Sequence, residues 1–320
     1  MTKRILLIIS SLLVLVNCLY NPLGRASAQE ETYLHAAAQS AIFVYDPSTM
    51  PCAPATPGTM LLPLGSSFVV GFAPKGAKPL PDGKMPIYKF LVTAQHVVGN
   101  RDSIIVRLNR IDKPEFACFT VSLLRQGKDK NVYVPTNRPQ VDLIAVRIGN
   151  FPNTDPTVFD YSLILDDDLM KKWEVMEGTD VFAVGYLYGY SGKKQNFPVT
   201  KFGKVALLTD EAWYHSPPPR SLDEKAYLVE MQNVPGLSGA PVMLQSSQFR
   251  VDKEGKLQYR RIPPGIIGVI KGLLRSPEGG TQGVAAIEPA AHLRELMKSI
   301  ADEFRSAGVE VELESPDKNK

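Results

Sequence analysis

Residues 234–242 read VPGLSGAPV, with Ser238 between Gly236 and Gly239 inside a short apolar run. A serine close to glycines is typical of a tight turn, in which its hydroxyl needs no further role. The same pattern suits a nucleophile, because glycine lets the backbone of a substrate come close. The choice between these two interpretations depends on which other polar residues the chain offers.

Most of the chain consists of short apolar runs that are bounded by turn residues. Twelve of these runs predict strands and fall into two groups of six. The first group is 41–45, 66–73, 87–94, 103–109, 116–124 and 142–148, and the second is 180–189, 202–209, 226–232, 240–245, 265–274 and 282–289. We therefore expect an all-β protein of two packed six-stranded antiparallel β-barrels, barrel one at about 41–150 and barrel two at about 175–290.

The segment after the last strand has a different pattern. Residues 289–306 carry apolar side chains at helical spacing behind Pro289, which predicts a C-terminal helix that packs on barrel two. Residues 29–40 are expected to form a polar lead-in, and residues 309–320 a disordered tail. The folded domain is thus expected to occupy 41–308, with no room for an appended domain.

The first 28 residues predict a cleaved signal peptide. Two basic residues precede the apolar run ILLIISSLLVLVNCL (5–19), and the small residues ASA (26–28) suit cleavage before Gln29. An uncleaved membrane anchor and a lipoprotein modified at Cys18 are the alternatives. We expect an exported protein (secreted, periplasmic or in the cell envelope) that contacts a membrane only through this segment, if the segment is kept.

The charge balance gives no sign of a nucleic-acid partner. Removal of residues 1–28 takes away three basic residues and no acidic one, which lowers the formal net charge from +3 to zero. The basic balance therefore belongs to the leader. The four histidines are dispersed without metal-ligand spacing, so that we expect neither a metal nor a cofactor.

Two cysteines remain once the leader is removed, Cys52 and Cys118. In an oxidising compartment such a pair can form one disulfide. Two separate buried thiols are an equal alternative, and the sequence leaves this point open.

Two further polar residues stand at the ends of apolar strands. His96 follows the strand in FLVTAQHVVGN, and Asp142 opens the strand in QVDLIAVRI. A buried carboxylate needs a partner, because leaving it unpaired costs several kcal/mol. Taken singly, each residue has an ordinary structural explanation. In the order His96, Asp142, Ser238 they indicate a general base, the carboxylate that orients it and a nucleophile.

These motifs resemble those of the trypsin/chymotrypsin-like serine proteases. TAQHVV (93–98), VDLIAVRI (141–148) and PGLSGAP (235–241) are similar to the histidine, aspartate and serine motifs of that family, in the same order and spacing. GSSFVV and DVFAVGYLYG resemble segments of its bacterial HtrA/Deg-like branch, here without a PDZ domain. The resemblance covers about residues 40–290. It implies a double β-barrel that hydrolyses polypeptide substrates through an acyl-enzyme.

The resemblance assigns the oxyanion hole to the N–H groups of Gly236 and Ser238, and Leu237 between them departs from the family pattern. Trypsin-type enzymes have aspartate at this position, and HtrA-type enzymes commonly have asparagine. A leucine side chain can form neither the ion pair of the aspartate nor the hydrogen bonds of the asparagine amide. Either local packing holds the turn, or the turn is loosely ordered until a substrate or partner binds. For this reason a catalytically weak or inactive homologue that binds peptides is the alternative to an active endopeptidase.

The specificity pocket supplies a prediction about the cleavage site. The resemblance places Gln232 at the base of this pocket and Val269, Ile270 and Lys271 along its wall. Because glutamine is uncharged, a pocket with Gln232 at its bottom is not expected to select substrates with Lys or Arg at the cleaved position. The three wall residues would make the pocket narrow. We expect cleavage after small or medium neutral residues, which profiling of a peptide library by mass spectrometry checks. A profile dominated by Arg or Lys at the cleaved position would contradict this expectation.

Overall fold

The computed structural model describes residues 33–49, 52, 62–81, 83–190, 192–208, 213–214, 224–232, 235–251, 254–275 and 281–313. The predicted signal peptide lies outside the described residues. No helix within the described ranges has the length and apolar character needed to cross a bilayer.

Barrel one is a single hydrogen-bonded sheet. Its strands are β1 (Ile42–Tyr45), β2 (Gly65–Pro74), β3 (Tyr88–Thr93), β4 (Ser103–Asn109), β5 (Phe116–Ser122), β6 (Val132–Tyr133), β7 (Ile144–Ile148), β8 (Val158–Asp160) and, from the far end of the chain, β19 (Val311–Glu312). The antiparallel order is β5-β4-β1-β2-β3-β7-β6, while β8 lies parallel and β19 antiparallel to β2. The N–H groups of Asn131 and Val132 donate to the carbonyl of Leu124, which brings the two ends of this sheet together.

Barrel two closes completely. Its strands are β9 (Asp180–Gly185), β10 (Val199–Leu207), β13 (Tyr227–Met231), β14 (Pro241–Leu244), β17 (Ile266–Arg275) and β18 (Thr281–Pro289). They follow the order β10-β13-β18-β17-β14-β9 around the barrel. Separate two-stranded sheets are formed by β11 (Trp213–Tyr214) with β12 (Glu224–Lys225) and by β15 (Ser247–Val251) with β16 (Leu257–Arg261).

The helical elements lie at the edges of the barrels. They are α1 (33–40), α2 (Gln95–Val98), α3 (Asp167–Lys172) and α4 (Ala290–Ser306), with short 3-10 turns at Pro47–Thr49 and Tyr161–Leu163. The lead-in predicted at 29–40 is therefore helical over its described part.

The structure confirms the predicted double barrel, and every predicted run overlaps a strand. Barrel one differs from six antiparallel strands, since β6, β8 and β19 add to it and β8 runs parallel. These strands of two or three residues are too short for a detectable alternation. The prediction of a disordered tail from residue 309 is wrong for Val311–Glu312, which pair with Pro74 and Ala73 of β2. Residues 314–320 lie outside the described residues.

The C-terminal helix packs across both barrels, whereas we expected it on barrel two alone. The ring centroid of Phe304 lies 5.9, 4.8 and 6.2 Å from those of Phe72, Tyr88 and Phe90 in barrel one. The same core also contains side chains of barrel two, among them Phe182. The helix therefore covers the seam between the barrels, because its apolar face is wide enough to serve both.

The two cysteines form a disulfide and are not two separate buried thiols. Cys52 and Cys118 are bonded with their Cα atoms 6.0 Å apart. The bond ties β5 to the segment that follows β1, across a sequence separation of 66 residues.

Candidate active site

Strand register in barrel one brings His96 and Asp142 together. β3 pairs with β7 so that Thr93 lies opposite Ile144. His96 comes three residues after Thr93 on the short helix α2, and Asp142 comes two residues before Ile144. The ends of two neighbouring strands therefore place both side chains at the same edge of the barrel.

Two hydrogen bonds join these residues. The Nδ1 atom of His96 lies 2.6 Å from Oδ2 of Asp142, and the main-chain N–H of His96 donates to Oδ1 at 2.9 Å. The Asp142 side chain is buried at 8% exposure, while the His96 side chain is 27% exposed. A carboxylate can only accept, so Nδ1 carries the proton in this bond, and in the neutral imidazole Nε2 then has the free lone pair. Nε2 is thus the nitrogen that can act as a base.

Ser238 lies in the turn between β13 and β14 and comes from barrel two. The turn is packed against barrel one, because a Cβ at Gly239 would lie 2.1 Å from Oγ1 of Thr93. Glycine fits at this position because it has no Cβ. The φ of +86° at residue 239 is also a conformation that glycine adopts without strain. Within the described ranges no hydrogen bond joins Ser238 to His96. The structure therefore brings His96 and Asp142 into direct contact and sets the Ser238 turn beside them.

The hydroxyl of Ser66 connects this turn to both barrels. Its Oγ donates to the carbonyl of Gly236 at 2.8 Å and accepts the N–H of Tyr186 at 2.8 Å. The main-chain N–H of Ser66 donates to the carbonyl of Ser238, also at 2.8 Å. Ser66 is fully buried on β2. One residue of barrel one therefore holds the main chain on both sides of Leu237, through its hydroxyl at Gly236 and its main-chain N–H at Ser238.

Packing holds the same turn from the side of barrel two. Leu237 is fully buried among the apolar residues of barrel two. Gly236 has a φ of +103°, and a Cβ there would lie 2.4 Å from Cδ1 of Tyr186. Burial raises the pKa of the Tyr186 phenol, which stays neutral and accepts the N–H of Gly189 at 2.9 Å. Of the two interpretations of Leu237, this geometry corresponds to a turn that is set by packing.

The N–H groups of Gly236 and Ser238 donate to no acceptor in the part of the chain that the structure describes. Both residues are partly exposed. An oxyanion requires two donors aimed at one point, and these two N–H groups are left without a protein acceptor in the described residues.

A family model for the trypsin-like peptidase domain matches residues 65–250, which is more than half of the chain and includes His96, Asp142 and Ser238. The chain belongs to the trypsin-like peptidase family. No curated protein matches this sequence significantly.

Solved structures of proteases are similar to this chain at low sequence identity. The MamO protease domain of Magnetospirillum magneticum is 14% identical over 83% of this chain and 98% of that chain, with a TM-score of 0.45. The HtrA-type protease AlgW with a decapeptide is 19% identical over 85% and 67% of the two chains, with a TM-score of 0.46. The Rv3671c protease of M. tuberculosis, in its active form, is 18% identical over 83% of each chain, with a TM-score of 0.43.

The four residues assigned to the specificity pocket have different surroundings in this trypsin-like domain. Gln232 is exposed after β13. The side chains of Val269 and Ile270 are fully buried in the apolar cores. Lys271 is 8% exposed, and its Nζ lies 3.2 Å from Oε2 of Glu288. Buried in this way, the side chains of Val269, Ile270 and Lys271 do not form the wall of an open pocket.

Sequence reasoning did not select Ser66, Tyr186 or Glu288 as parts of the site. The available signal was a polar residue inside an apolar strand, as in GSSFVV for Ser66 and VAAIEP for Glu288. Tyr186 had no comparable signal, because an aromatic residue at the end of a strand is usually part of the core.

Removal of the Ser66 hydroxyl is expected to loosen the turn. Ser66→Ala leaves the Tyr186 N–H unpaired in a buried place and the Gly236 carbonyl unpaired in a partly buried one, so the free energy of unfolding should fall by about 2–4 kcal/mol. Ser67→Ala is the matched control, because Ser67 is equally buried but its hydroxyl makes one bond of 3.2 Å, to the carbonyl of Ile42. For this control we expect a loss of about 1 kcal/mol in urea unfolding. Equal losses in both variants would contradict the role given to Ser66.

Proposed function

We propose that this protein is an exported serine endopeptidase. The observation that carries the proposal is the pair of hydrogen bonds between His96 and Asp142, with the Ser238 turn held against the same edge by Ser66. Membership of the trypsin-like peptidase family supports a hydrolase that acts on peptide bonds.

The proposed reaction begins at Ser238. The Nε2 atom of His96 takes the hydroxyl proton as Oγ attacks the scissile carbonyl, and Asp142 stabilises the resulting imidazolium. The N–H groups of Gly236 and Ser238 stabilise the oxyanion of the tetrahedral intermediate. His96 then passes its proton to the leaving amine, which leaves an acyl group on Ser238. Water, deprotonated by His96, attacks the acyl carbon. The bond from that carbon to Oγ of Ser238 then breaks, His96 returns the proton to Oγ, and the second product leaves as a carboxylic acid.

A second candidate function is peptide binding without catalysis. The observation in its favour is that no hydrogen bond between Ser238 and His96 forms in the described residues. A protease in its resting state can also lack this bond, because catalytic hydrogen bonds often shorten only when substrate binds. Labelling chemistry separates the two functions.

A fluorophosphonate probe should label the purified mature protein at Ser238. Ser238→Ala should abolish labelling, and Asp142→Asn should slow it by about ten-thousand-fold, because the imidazole then takes the wrong tautomer. Ser306→Ala, at the exposed end of α4, serves as the control and should be labelled at the rate of the unmodified protein. A folded mature protein that remains unlabelled would favour the peptide-binding function.

Export is supported by the N-terminal segment of the sequence and by the Cys52–Cys118 disulfide, since such bonds persist mainly in oxidising compartments. N-terminal sequencing of the protein recovered from its native host should start at Gln29. Recovery of a chain that still begins at Met1, in the cytoplasmic fraction, would refute export.

A further inference from the structure

A cluster of buried charged residues lies next to Asp142. Glu288, the last residue but one of β18, has a side chain only 1% exposed, and the side chain of Lys271 on β17 is 6% exposed. Oε2 of Glu288 lies 3.2 Å from Nζ of Lys271, and Oε1 lies 2.5 Å from Nδ1 of His292 on α4. Both oxygens of this carboxylate are thus held from elements of barrel two and from the C-terminal helix.

The cluster touches the candidate active site through the main chain. The N–H of Asp142 donates to Oε2 of Glu288 at 3.1 Å. The carboxylate of the same Asp142 contacts His96. Glu288 therefore holds the backbone of the very residue whose side chain orients the histidine.

Stability alone does not account for such a cluster. Burying a carboxylate and an ammonium together costs desolvation that their attraction only offsets, and apolar residues of similar size are often as stable or more so. A directional acceptor for the Asp142 N–H is what an apolar replacement would lack.

We propose that Glu288 is a positioning residue for the triad, held in place by Lys271 and His292. By accepting the main-chain N–H of Asp142, it fixes the entry into β7 and keeps the Asp142 carboxylate aimed at Nδ1 of His96. This inference rests on the proposed endopeptidase function and adds to it a support that comes from barrel two and α4.

Two double variants separate this role from simple charge compensation. Glu288→Gln with Lys271→Met removes the buried charges but keeps an amide oxygen for the Asp142 N–H. Glu288→Leu with Lys271→Met removes the charges and the acceptor together. Because both carry Lys271→Met, any effect of that lysine on substrate binding cancels in the comparison. We expect the leucine pair to have a kcat about 100-fold below the glutamine pair, with KM within about threefold.

A conservative single variant covers the case in which the leucine pair does not fold. Glu288→Asp keeps the charge beside Lys271 but withdraws the carboxylate from Asp142 by about one bond length, ~1.5 Å. We expect kcat to fall by about tenfold or more at unchanged KM. Values of kcat within threefold of the unmodified protein in Glu288→Asp, or equal kcat in the two double variants, would overturn the proposal.

A spectroscopic measurement keeps the test independent of activity. The His96 Nδ1 proton that bonds to Asp142 should give a far-downfield proton resonance in NMR, assigned with 15N-labelled histidine. This resonance should persist in the glutamine pair and move upfield or vanish in the leucine pair and in Glu288→Asp. An unchanged resonance in the folded leucine pair would refute positioning. If the unmodified protein is not labelled by the fluorophosphonate, the endopeptidase function fails, while this resonance still decides the role of Glu288.

Discussion

The candidate active site depends on the hydrogen bonds of one buried serine. Ser66 belongs to barrel one, yet its hydroxyl and its N–H bind the main chain of Gly236, Ser238 and Tyr186, all in barrel two. Apolar contacts between the barrels are not directional, so by themselves they define the relative position of the barrels only loosely. Hydrogen bonds in an interface without water are directional and define it more closely. Ser66 therefore fixes the position of the serine turn relative to the barrel edge that carries His96.

A second set of polar contacts supports the other half of the site from the opposite direction. Glu288 and Lys271 come from adjacent strands of barrel two, and His292 comes from α4. They meet the Asp142 main chain, which belongs to barrel one. The helix α4 thus covers the seam with its apolar face and also contributes a polar contact to the cluster beside the candidate triad.

Much of the fold was predictable, because long apolar runs between turn residues have a clear pattern. The strand 103–109 was predicted with the bounds that the structure has. The short strands β8 and β19 were not predicted, because they form through pairing with β2 and carry no pattern of their own. The placement of α4 was predicted on one barrel only, since the periodicity of a helix shows which face is apolar and not what that face will contact.

By itself, the sequence determined the double barrel, the order of His96, Asp142 and Ser238, and the departure at Leu237. Motifs and apolar periodicity are local, so they can be read along the chain. The tertiary structure alone decided that Leu237 is buried in barrel two, that Cys52 and Cys118 pair, and that Ser66 and Glu288 hold the two sides of the site. Each of these contacts joins residues distant along the chain, and such partners become neighbours only when strand register and barrel packing are set.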